Sequence, residues 1–447
     1  INFTTEKRTD IFTSYAPGFL VTNQYRVKEL VLLVNSKWSK KWTLSYTNDG
    51  NQKKSLLKSI TAKAQDNGGN ITTLPPVTFD YSKKQKGWTE TKEIQWPDGQ
   101  DGTYTAPPPI NGDNNYDTGI RLLDVNGDGQ TDILNADIYQ PTVFLFNGKE
   151  WKKDAGWVVP GFVNSQNGDP QTMRIADVNG DNLPDFVDSY SQIVYNSLGQ
   201  AAGSKYTNNI YLNTGTTWKV DPTWKFPKDQ YGNSLDFFFN IDRGIRLTDV
   251  NGDGLVDIVR AGGTGGGKSE KGTYLNTGKG WELNKDFEPP IDIVSDSGKG
   301  EGVEMADVNG DGLVDFIRSN ASNPPKKVFL NTGKGWIEDP KWVFPVFIVD
   351  TNSSWQDVEV VDVNNDGLPD VVQAQQWYGS NGSTQGIYMN TGAGWALDPD
   401  WKPPVNLGSN YPLLQGVVIT DINGDGLVDF VKAYASDPPN KIFLSST

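Results

Sequence analysis

The chain has 447 residues, of which 36% are hydrophobic and 21% charged, and its net charge is −15. It contains no His and no Cys, which excludes His-based acid–base chemistry, thiol nucleophiles and a disulfide framework. No apolar run approaches the roughly eighteen residues that a membrane helix needs, and the acidic balance argues against a nucleic-acid partner. We therefore expect neither membrane insertion nor nucleic-acid binding.

The N-terminal part, residues 1–82, is predicted to be a β-rich segment distinct from the rest of the chain. Residues 1–26 show little periodicity. Runs of β-branched and aromatic residues bounded by Asn-Asp-Gly and Asn-Gly-Gly turns then predict four strands, at 27–34, 41–47, 56–64 and 77–81. The third of these runs also fits one face of a helix, so both readings stay open there.

Six copies of one nine-residue pattern span most of the remaining chain. Residues 249–257 read Asp-Val-Asn-Gly-Asp-Gly-Leu-Val-Asp, and the other copies begin at Asp124, Asp177, Asp307, Asp362 and Asp421. Every copy has Asp at its first, fifth and ninth positions and Asn at its third. The sixth position is Gly except at Asn182, and Asn is a residue that tolerates the left-handed conformation.

This composition predicts a Ca²⁺ site in each loop. Ca²⁺ takes oxygen ligands from alternating positions of a tight loop, commonly with a main-chain carbonyl at the seventh. We expect about six ions per chain, with the following ligands: Asp124, Asn126, Asp128, Gln130 and Asp132; Asp177, Asn179, Asp181, Leu183 and Asp185; Asp249, Asn251, Asp253, Leu255 and Asp257; Asp307, Asn309, Asp311, Leu313 and Asp315; Asp362, Asn364, Asp366, Leu368 and Asp370; Asp421, Asn423, Asp425, Leu427 and Asp429.

Two alternatives to this interpretation were weighed. An EF-hand needs flanking amphipathic helices, whereas the flanks here, such as 244–248 and 258–260, are short and strand-like. Metal-free Asx turns between strands are the simpler alternative, because Asp, Asn and Gly are favoured in turns. A turn needs only one or two such residues, however, and not the same four side chains six times. A structural metal is favoured over a catalytic one because the loop leaves no ligand position open.

A second repeated pattern, a strand followed by a turn and a Trp, comes after each of the first five loops. Two strands around the loop, a third that ends at Asn-Thr-Gly and a fourth after the Trp predict one antiparallel blade. The loops begin 53 to 72 residues apart, which suits a four-stranded blade with its connections. The predicted fold class is all-β, a calcium-binding β-propeller over residues 83–447 with six blades, or seven if the N-terminal strands form a blade.

The last copy of the second pattern has no Trp after it, while Gly87-Trp88 precedes the first loop and has no loop of its own. We therefore expect an N-terminal strand to complete the C-terminal blade. Such a strand would close the ring and remove its open edges.

The loops resemble the FG-GAP or VCBS repeats of integrin-α-like β-propellers over about residues 85–447. Segments 25–27, 42–46, 55–60 and 74–79 look like the part that precedes the propeller in SpvB-like, TcB-type and Rhs-related bacterial toxin proteins. The resemblance implies a docking and gating propeller within a secreted, toxin-encapsulating shell. The YD repeats and toxic domain of that family are missing here. Related propellers also occur in integrins, lectins and adhesins.

Two functions stay open. The first is a non-enzymatic, calcium-stabilised binding or docking module of a secreted bacterial toxin-like or surface protein, with a protein partner. The second is a carbohydrate-binding propeller lectin or adhesin, with a glycan partner. A glycosidase or lyase built from Asp, Tyr or Lys is disfavoured, so we expect no catalytic residues. Dependence on calcium indicates a secreted or extracellular protein.

Candidate ligand-binding residues come from the aromatic side chains. Trp218, Trp281, Trp336 and Trp395 hold the same place in their blades, as core aromatics would. Less regular aromatics are predicted to stack on sugars, namely Trp224, Trp342, Trp355, Trp377, Tyr378 and Trp401. The insertions that break the repeat are predicted contact surfaces, at 196–209, 228–242, 262–272 and 375–386.

Overall fold

A computed structural model describes the chain except residues 15–20, 48–54, 67, 81–86, 98–109, 111–117, 138–140, 164–172, 196–200, 229–231, 233, 236, 238–241, 264–266, 268, 352–353, 377–382, 410–412, 415, 435–438 and 446–447. Every regular element among the described residues is a β-strand, which confirms the all-β prediction. These residues include no helix with the length and apolar character needed to cross a membrane. Two compact units are present, residues 1–85 with a few residues from elsewhere, and most of the remainder.

The first unit is a six-stranded antiparallel sheet. Its order is β1-β2-β3-β4-β5, and β6 also pairs with β4. The stretch at 56–65 is a strand and not a helix, which resolves the ambiguity of its pattern. The strands are β1 (Asn2–Ser14), β2 (Val21–Val34), β3 (Lys37–Thr47), β4 (Leu56–Gln65), β5 (Ile71–Thr73) and β6 (Val77–Thr78).

The sequence predicted no strand before residue 27, but β1 and the start of β2 lie there. β1 pairs with β2 from Asn2 to Ser14, although the register shifts twice along the pair. No described residue of this sheet is fully buried on either face. A strand that buries neither face has no reason to alternate apolar and polar residues, so periodicity gave no signal for it.

The second unit contains six sheets, which are the blades of a propeller: five have four antiparallel strands, and the other adds two short strands to four antiparallel ones. Blade 1 consists of β8 (Ile120–Leu123), β9 (Asp132–Asn135), β10 (Thr142–Phe146) and β11 (Trp151–Asp154). Blade 2 consists of β12 (Met173–Ala176), β13 (Asp185–Tyr195), β14 (Ala201–Asn213) and β15 (Trp218–Val220). Blade 3 consists of β16 (Ile245–Thr248), β17 (Asp257–Gly263), β18 (Ser269–Asn276) and β19 (Trp281–Asn284). In each of these blades the loop joins the first and second strands.

The same plan continues to the end of the chain. Blade 4 consists of β20 (Val303–Ala306), β21 (Asp315–Arg318), β22 (Lys327–Asn331) and β23 (Trp336–Glu338). Blade 5 consists of β24 (Val358–Val361), β25 (Asp370–Gln376), β26 (Ser383–Asn390) and β27 (Trp395–Asp398), extended by the short β28 (Gly408–Ser409) and β29 (Leu413–Leu414). Blade 6 consists of β30 (Val417–Thr420), β31 (Asp429–Lys432), β32 (Lys441–Ser445) and β7 (Trp88–Thr91).

The sixth blade joins the two ends of the propeller segment. β7 pairs antiparallel with β32, from Ile442 opposite Thr91 to Ser445 opposite Trp88. The Lys441 ammonium also forms an ion pair with Glu90 at 3.1 Å. A strand that lies before the first loop in sequence therefore supplies the fourth strand of the last blade. Closure of this kind leaves the blades without a long unpaired edge.

The hydrophobic core is divided into six clusters, and each cluster lies between two neighbouring blades. One of them joins Val178 and Val187 of blade 2 to Ile245 and Ile258 of blade 3. Another joins Ile422 and Val431 of blade 6 to Ile120 and Ile133 of blade 1. The remaining four clusters fill the other interfaces in the same way. Every blade thus packs on two others, and the set of six closes on itself.

An aromatic pair recurs at every interface between blades. The Trp that begins each fourth strand contacts an aromatic side chain from the connection that enters its blade. The ring centroids lie 4.7 to 6.2 Å apart, in the pairs Trp151 with Trp96, Trp218 with Trp157, Trp281 with Trp224, Trp336 with Phe287, Trp395 with Trp342, and Trp88 with Trp401. Contacts of this geometry add stability beyond the apolar area that they bury.

We predict that Trp88→Ala lowers the free energy of unfolding by about 3 kcal/mol, because truncating a packed aromatic leaves a cavity. Trp88 stacks on Trp401 at 5.1 Å and donates its indole N–H to the Val428 carbonyl at 2.8 Å. Denaturant unfolding measures the change. Trp355→Ala is the matched control, since Trp355 is 47% exposed, and we expect less than about 1 kcal/mol there. Equal effects of the two variants would contradict the closing role of Trp88.

Candidate metal-binding loops

The first Asp of each loop organises the backbone that follows it. In the loop that begins at Asp249, Oδ1 accepts from Gly252 N at 2.8 Å and Oδ2 accepts from Gly254 N at 2.8 Å. The corresponding bond to the sixth residue occurs in four other loops at 2.7 Å. The sixth residue has a positive φ in all six loops, including 66° at Asn182, as its sequence predicted. The turn therefore forms from side-chain and backbone groups of the loop alone.

The residues at the third and fifth loop positions form hydrogen bonds with each other. Asn251 donates its Nδ2 to Oδ2 of Asp253 at 2.9 Å, and its Oδ1 accepts from the Asp253 backbone N–H at 2.9 Å. The loops that begin at Asp124, Asp177, Asp362 and Asp421 contain the same amide-to-carboxylate bond, at 3.0 to 3.1 Å. Asp253 itself is exposed. The first half of the loop is thus a cluster of hydrogen-bonded polar groups in which Asp253 faces solvent.

The ninth Asp is the only one of the three that is fully buried. Its six copies are all 0% exposed, namely Asp132, Asp185, Asp257, Asp315, Asp370 and Asp429. In Asp257, Oδ2 accepts from Val250 N at 3.0 Å and Oδ1 accepts from Asn276 N at 2.7 Å. The other five copies make the same two bonds to their own blades. This carboxylate therefore ties the start of the loop to the end of the third strand.

Burial raises the pKa of these carboxyl groups. The pKa of Asp132, Asp185 and Asp257 rises to about 7, mainly because burial disfavours the charged form. The backbone hydrogen bonds lower the pKa, and the charges of the first and fifth Asp raise it again. The three acidic groups of a loop therefore repel one another, and a bound cation would relieve that repulsion.

The fit of these residues to Ca²⁺ is incomplete in this arrangement. Among the described residues, no three acidic side chains are grouped in a way that could hold a metal ion. The carboxylates are not grouped around one point because the side-chain amide of the third residue donates a hydrogen bond to Oδ2 of the fifth. The donor set is nevertheless the oxygen-rich set that Ca²⁺ prefers. Binding would require the third and fifth side chains to turn away from each other and toward the ninth carboxylate.

An asparagine latch between blades was missed by sequence reasoning. The Asn that ends the third strand donates its Nδ2 to the carbonyl of the second loop residue of the preceding blade. Each bond is 2.8 Å long, in the pairs Asn213 with Val125, Asn276 with Val178, Asn331 with Val250 and Asn390 with Val308. The repeated Asn-Thr-Gly was visible in the sequence, but its spacing did not show that the Asn bonds to another blade.

The tryptophan of the second pattern is bonded to the same loop. Trp281 donates its indole N–H to the Val256 carbonyl at 2.9 Å, and Val256 is the eighth loop residue. Equivalent bonds of 2.7 to 3.1 Å occur in all six blades, with Trp88 serving blade 6. The loop therefore fixes the fourth strand as well as the first three.

The prediction that Trp224, Trp342 and Trp401 stack on sugars is wrong. These side chains are only 5 to 8% exposed, because each packs on the fourth-strand Trp of the next blade. They looked irregular because their partners belong to the following repeat. Trp355 remains accessible, at 47% exposure, and Gly300 lies beside its ring. Trp377 and Tyr378 lie outside the described residues.

The insertions differ in structure where they are described. The first extends the hairpin of β13 and β14 from Asp185 to Asn213. The second, within residues 228–242, sends Leu235 and Phe237 into the core between blades 2 and 3. Ser189 donates its hydroxyl to the Leu235 carbonyl, so this insertion is anchored and is not a free linker.

These loops and strands define a six-bladed β-propeller. Residues 124–187 and 249–318 match the FG-GAP-like repeat family, which confirms the resemblance inferred from the loops. The comparison with curated proteins gives no match.

Solved structures extend the comparison of the fold. The chain is similar to part of the Tc holotoxin pore of Photorhabdus luminescens, with 16% identity and a TM-score of 0.57 over 98% of this chain and 19% of that one. This chain therefore spans about a fifth of that toxin chain. A crystal structure of TcdB2-TccC3 is 14% identical, with a TM-score of 0.43 over 99% of this chain and 20% of that one. An Agrocybe aegerita lectin that recognises non-reducing terminal N-acetylglucosamine is 19% identical, with a TM-score of 0.43 over 70% and 73%.

We predict that Asp257→Asn destabilises blade 3 with and without calcium. An amide at this site can accept only one of the two backbone N–H bonds and turns its own N–H₂ toward the other. A buried donor left unpaired costs about 1 to 3 kcal/mol, which denaturant unfolding resolves. Asp253→Asn is the matched control in the same loop, since Asp253 is exposed, and without calcium it should cost less. Loss of stability by Asp257→Asn only when calcium is present would contradict this role.

Proposed function

We propose that this chain is a non-enzymatic docking module of a secreted, bacterial toxin-like protein, and that calcium stabilises its propeller. The observation that supports this proposal most directly is the N-terminal sheet. None of its described residues is buried, yet it presents large apolar side chains to solvent, namely Ile1, Phe3, Tyr25, Leu33, Val34, Ile71, Leu74, Val77 and Phe79.

A single-layer sheet of this kind needs a covering partner. Stable domains pack the apolar face of a sheet against a second layer, and contiguous exposed apolar patches usually mark interaction sites. Ion pairs within the sheet join Arg26 to Glu6 at 2.8 Å and Lys41 to Glu29 at 3.0 Å. We therefore assign the docking role to this sheet and expect its partner to be a protein.

The propeller supports the same role as a rigid scaffold. Its blades are joined by core clusters and aromatic pairs, so loops at its ends are held in fixed positions, where recognition residues are usually found. The likeness of the fold to part of a Tc holotoxin pore is consistent with a module of a secreted toxin. A protein of that kind would act outside the cell that makes it. The absence of His and Cys supports a binding role over an enzymatic one.

Calcium is proposed from the chemistry of the loops. Each loop places three carboxylates and an amide oxygen within nine residues. Burial raises the pKa of Asp257, and repulsion from Asp249 and Asp253 adds to the rise. A divalent cation would offset that repulsion and favour the charged form of the buried carboxylate. The ion would act as a structural brace, whereas the hydrogen bonds of the ninth Asp hold the blade together in either case.

A glycan-binding module is the second candidate, and exposed Trp355 favours it. Its ring lies against Gly300 and keeps nearly half of its surface accessible, which suits stacking on a sugar. Gln356 and Ser354 provide polar groups next to it in the chain. A flat aromatic with polar neighbours is the kind of surface that orients a ring of hydroxyl groups.

We predict that chelation lowers the unfolding temperature and that calorimetric titration finds about six ions per chain. Each site contributes about 2.7 kcal/mol at a hundredfold excess of ion over Kd, if it binds only the native state. Asp253→Ala should remove one ion and leave five. Asp286→Ala, which changes an exposed acid outside the loops, should remove none. An unchanged stoichiometry in Asp253→Ala would count against the assigned ligands.

We predict that the partner is captured through the N-terminal sheet. A photo-cross-linking residue in place of exposed Tyr25 should yield one discrete protein adduct in the secreting cells. The same residue in place of Ile337, equally exposed on the outer strand of blade 4, is the control and should yield none. A glycan array run with wild type and Trp355→Ala tests the alternative. Binding that depends on Trp355, without an adduct at position 25, would favour the lectin over the docking module.

A further inference from the structure

The first strands of the six blades carry an ordered set of charged residues. Each of these strands has four residues and ends directly before its loop, so equivalent positions can be compared from blade to blade. The second position holds, in the order of the blades, Arg121, Arg174, Arg246, Glu304, Glu359 and Val418. Three basic residues are thus followed by two acidic residues and one apolar residue. We call this set the inner ring.

These residues face one another although they come from different blades. The charge of Arg174 interacts with those of Arg121 and Arg246, on the blades before and after it. Glu304 interacts with Glu359 on the next blade and with Arg246 on the preceding one. Charges act across blades in this way only where the strands converge. The first strands therefore line the axis of the propeller, as the inner strands of a propeller surround its central channel.

The basic side of the inner ring has a uniform geometry. Each arginine donates from Nη1 to the carbonyl of the residue before it, at 2.8 Å in Arg121, 3.1 Å in Arg174 and 2.9 Å in Arg246. Asp242, from the anchored insertion, lies 3.5 Å from Arg246 and also attracts Arg174. Burial lowers the pKa of Arg174, and the two neighbouring arginines lower it further, while Asp242 raises it.

The acidic side of the inner ring lacks cations of its own. Burial raises the pKa of Glu304 to about 7, repulsion from Glu359 adds to the rise, and Arg246 offsets it only in part. Burial also raises the pKa of Glu359, but solvent reaches this side chain and moderates the effect. Glu359 therefore matters chiefly as the charge that acts on its neighbours.

Asp357 adds a third acid where the other blades have glycine. The residue before the first strand is Gly119, Gly244, Gly302 or Gly416 in four blades, each with positive φ, and Asp357 adopts φ 51° in the same place. A Cβ at Gly244 or Gly302 would lie 2.3 or 2.7 Å from a carbonyl oxygen, so a side chain there is unfavourable. Oδ2 of Asp357 is buried without a hydrogen-bond partner. Burial and repulsion from Glu359 raise its pKa to about 7.

We propose that the inner ring is a pH-responsive electrostatic device, in which Glu304 and the buried, unbonded carboxylate of Asp357 take up or release protons and so reverse the charge at the axis. With all groups ionised, the three arginines of the inner ring and the four acids Asp242, Asp357, Glu304 and Glu359 have a net charge of −1. When Asp357 and Glu304 are neutral, the net charge is +1. Backbone strain at Asp357 and repulsion among Asp357, Glu304 and Glu359 lower the stability of the folded protein.

The direction of the effect on stability follows from the two states. The folded pKa of Glu304 and Asp357 lies near 7, above the values of 4.5 and 3.8 that apply to the unfolded chain. The folded protein therefore binds more protons than the unfolded chain between those values. The contribution of these groups is full below about pH 4 and is lost as the pH rises through 7. Raising the pH should loosen the inner edges of blades 4 and 5, and acid should tighten them.

The test compares unfolding temperatures from pH 5.5 to 8.5 for wild type and the double variant Glu304→Gln with Glu359→Gln. Excess calcium is present throughout, because the buried loop carboxyl groups also titrate without it. The double variant should gain stability over wild type above pH 7, by roughly 2 °C or more, and little below pH 6. Asp357→Gly, which restores the glycine of the other blades, should be more stable at every pH and most so above 7.

Two further variants decide between this device and a purely structural ring. Glu282→Gln changes an exposed acid on the outer strand of blade 3 and should give no pH-dependent difference. Arg246→Gln removes the cation that faces Glu304, so the pH at which wild type loses stability should move upward. A flat difference between wild type and the double variant overturns the proposal. So does a downward shift in Arg246→Gln, or a Glu282→Gln curve that matches the double variant.

Discussion

The structure depends on one interaction that occurs six times, a buried carboxylate that accepts two backbone N–H groups. An unpaired N–H in the interior would cost free energy, and here one Asp satisfies two such groups that are far apart in sequence. In blade 3, Asp257 joins the first loop residues to the end of the third strand, while the neighbouring carbonyl receives the indole of Trp281. All four strands of a blade are therefore positioned by one short loop, which explains why the loop varies so little along the chain.

The bonds of the ninth Asp lie within one blade, whereas the contacts that join two blades are made between residues of neighbouring repeats. An aromatic side chain from each connection packs on the next blade, and four asparagines reach back to the preceding one. Phe146 and Ser445 occupy the asparagine position in blades 1 and 6, so the two interfaces of blade 6 lack this latch. Thr131 instead donates its hydroxyl to the Asp421 carbonyl across the interface of blades 6 and 1. The blade assembled from both ends of the propeller segment is thus held by a different set of bonds.

Repetition decides how much of this molecule can be predicted from its sequence. Because each repeat can be compared with five others, the sequence predicts the loops and the strands around them. It also predicts that a further strand must follow Phe443. The contacts of Trp224 and Trp342 cannot be predicted in this way, since the residues that bury these side chains lie in the next repeat. The inner ring could not be predicted from the sequence for another reason. Its six positions hold Arg, Glu and Val, so they show no repeated pattern, and their proximity appears only in the folded propeller. β1 gave no periodic signal, since none of its described side chains is buried.

The origin of the last blade has a consequence for biosynthesis. Trp88 leaves the ribosome about 340 residues before Val428, the carbonyl that its indole contacts. At about 5 to 20 residues per second, the segment around Trp88 waits roughly 20 to 70 s for that partner. During this time blades 1 to 5 can fold in order, each packing on the one before, while β7 remains unpaired until β32 is made. The nascent chain therefore carries an unpaired aromatic strand until blade 6 is made, and the residues around Val428 decide whether the ring is completed.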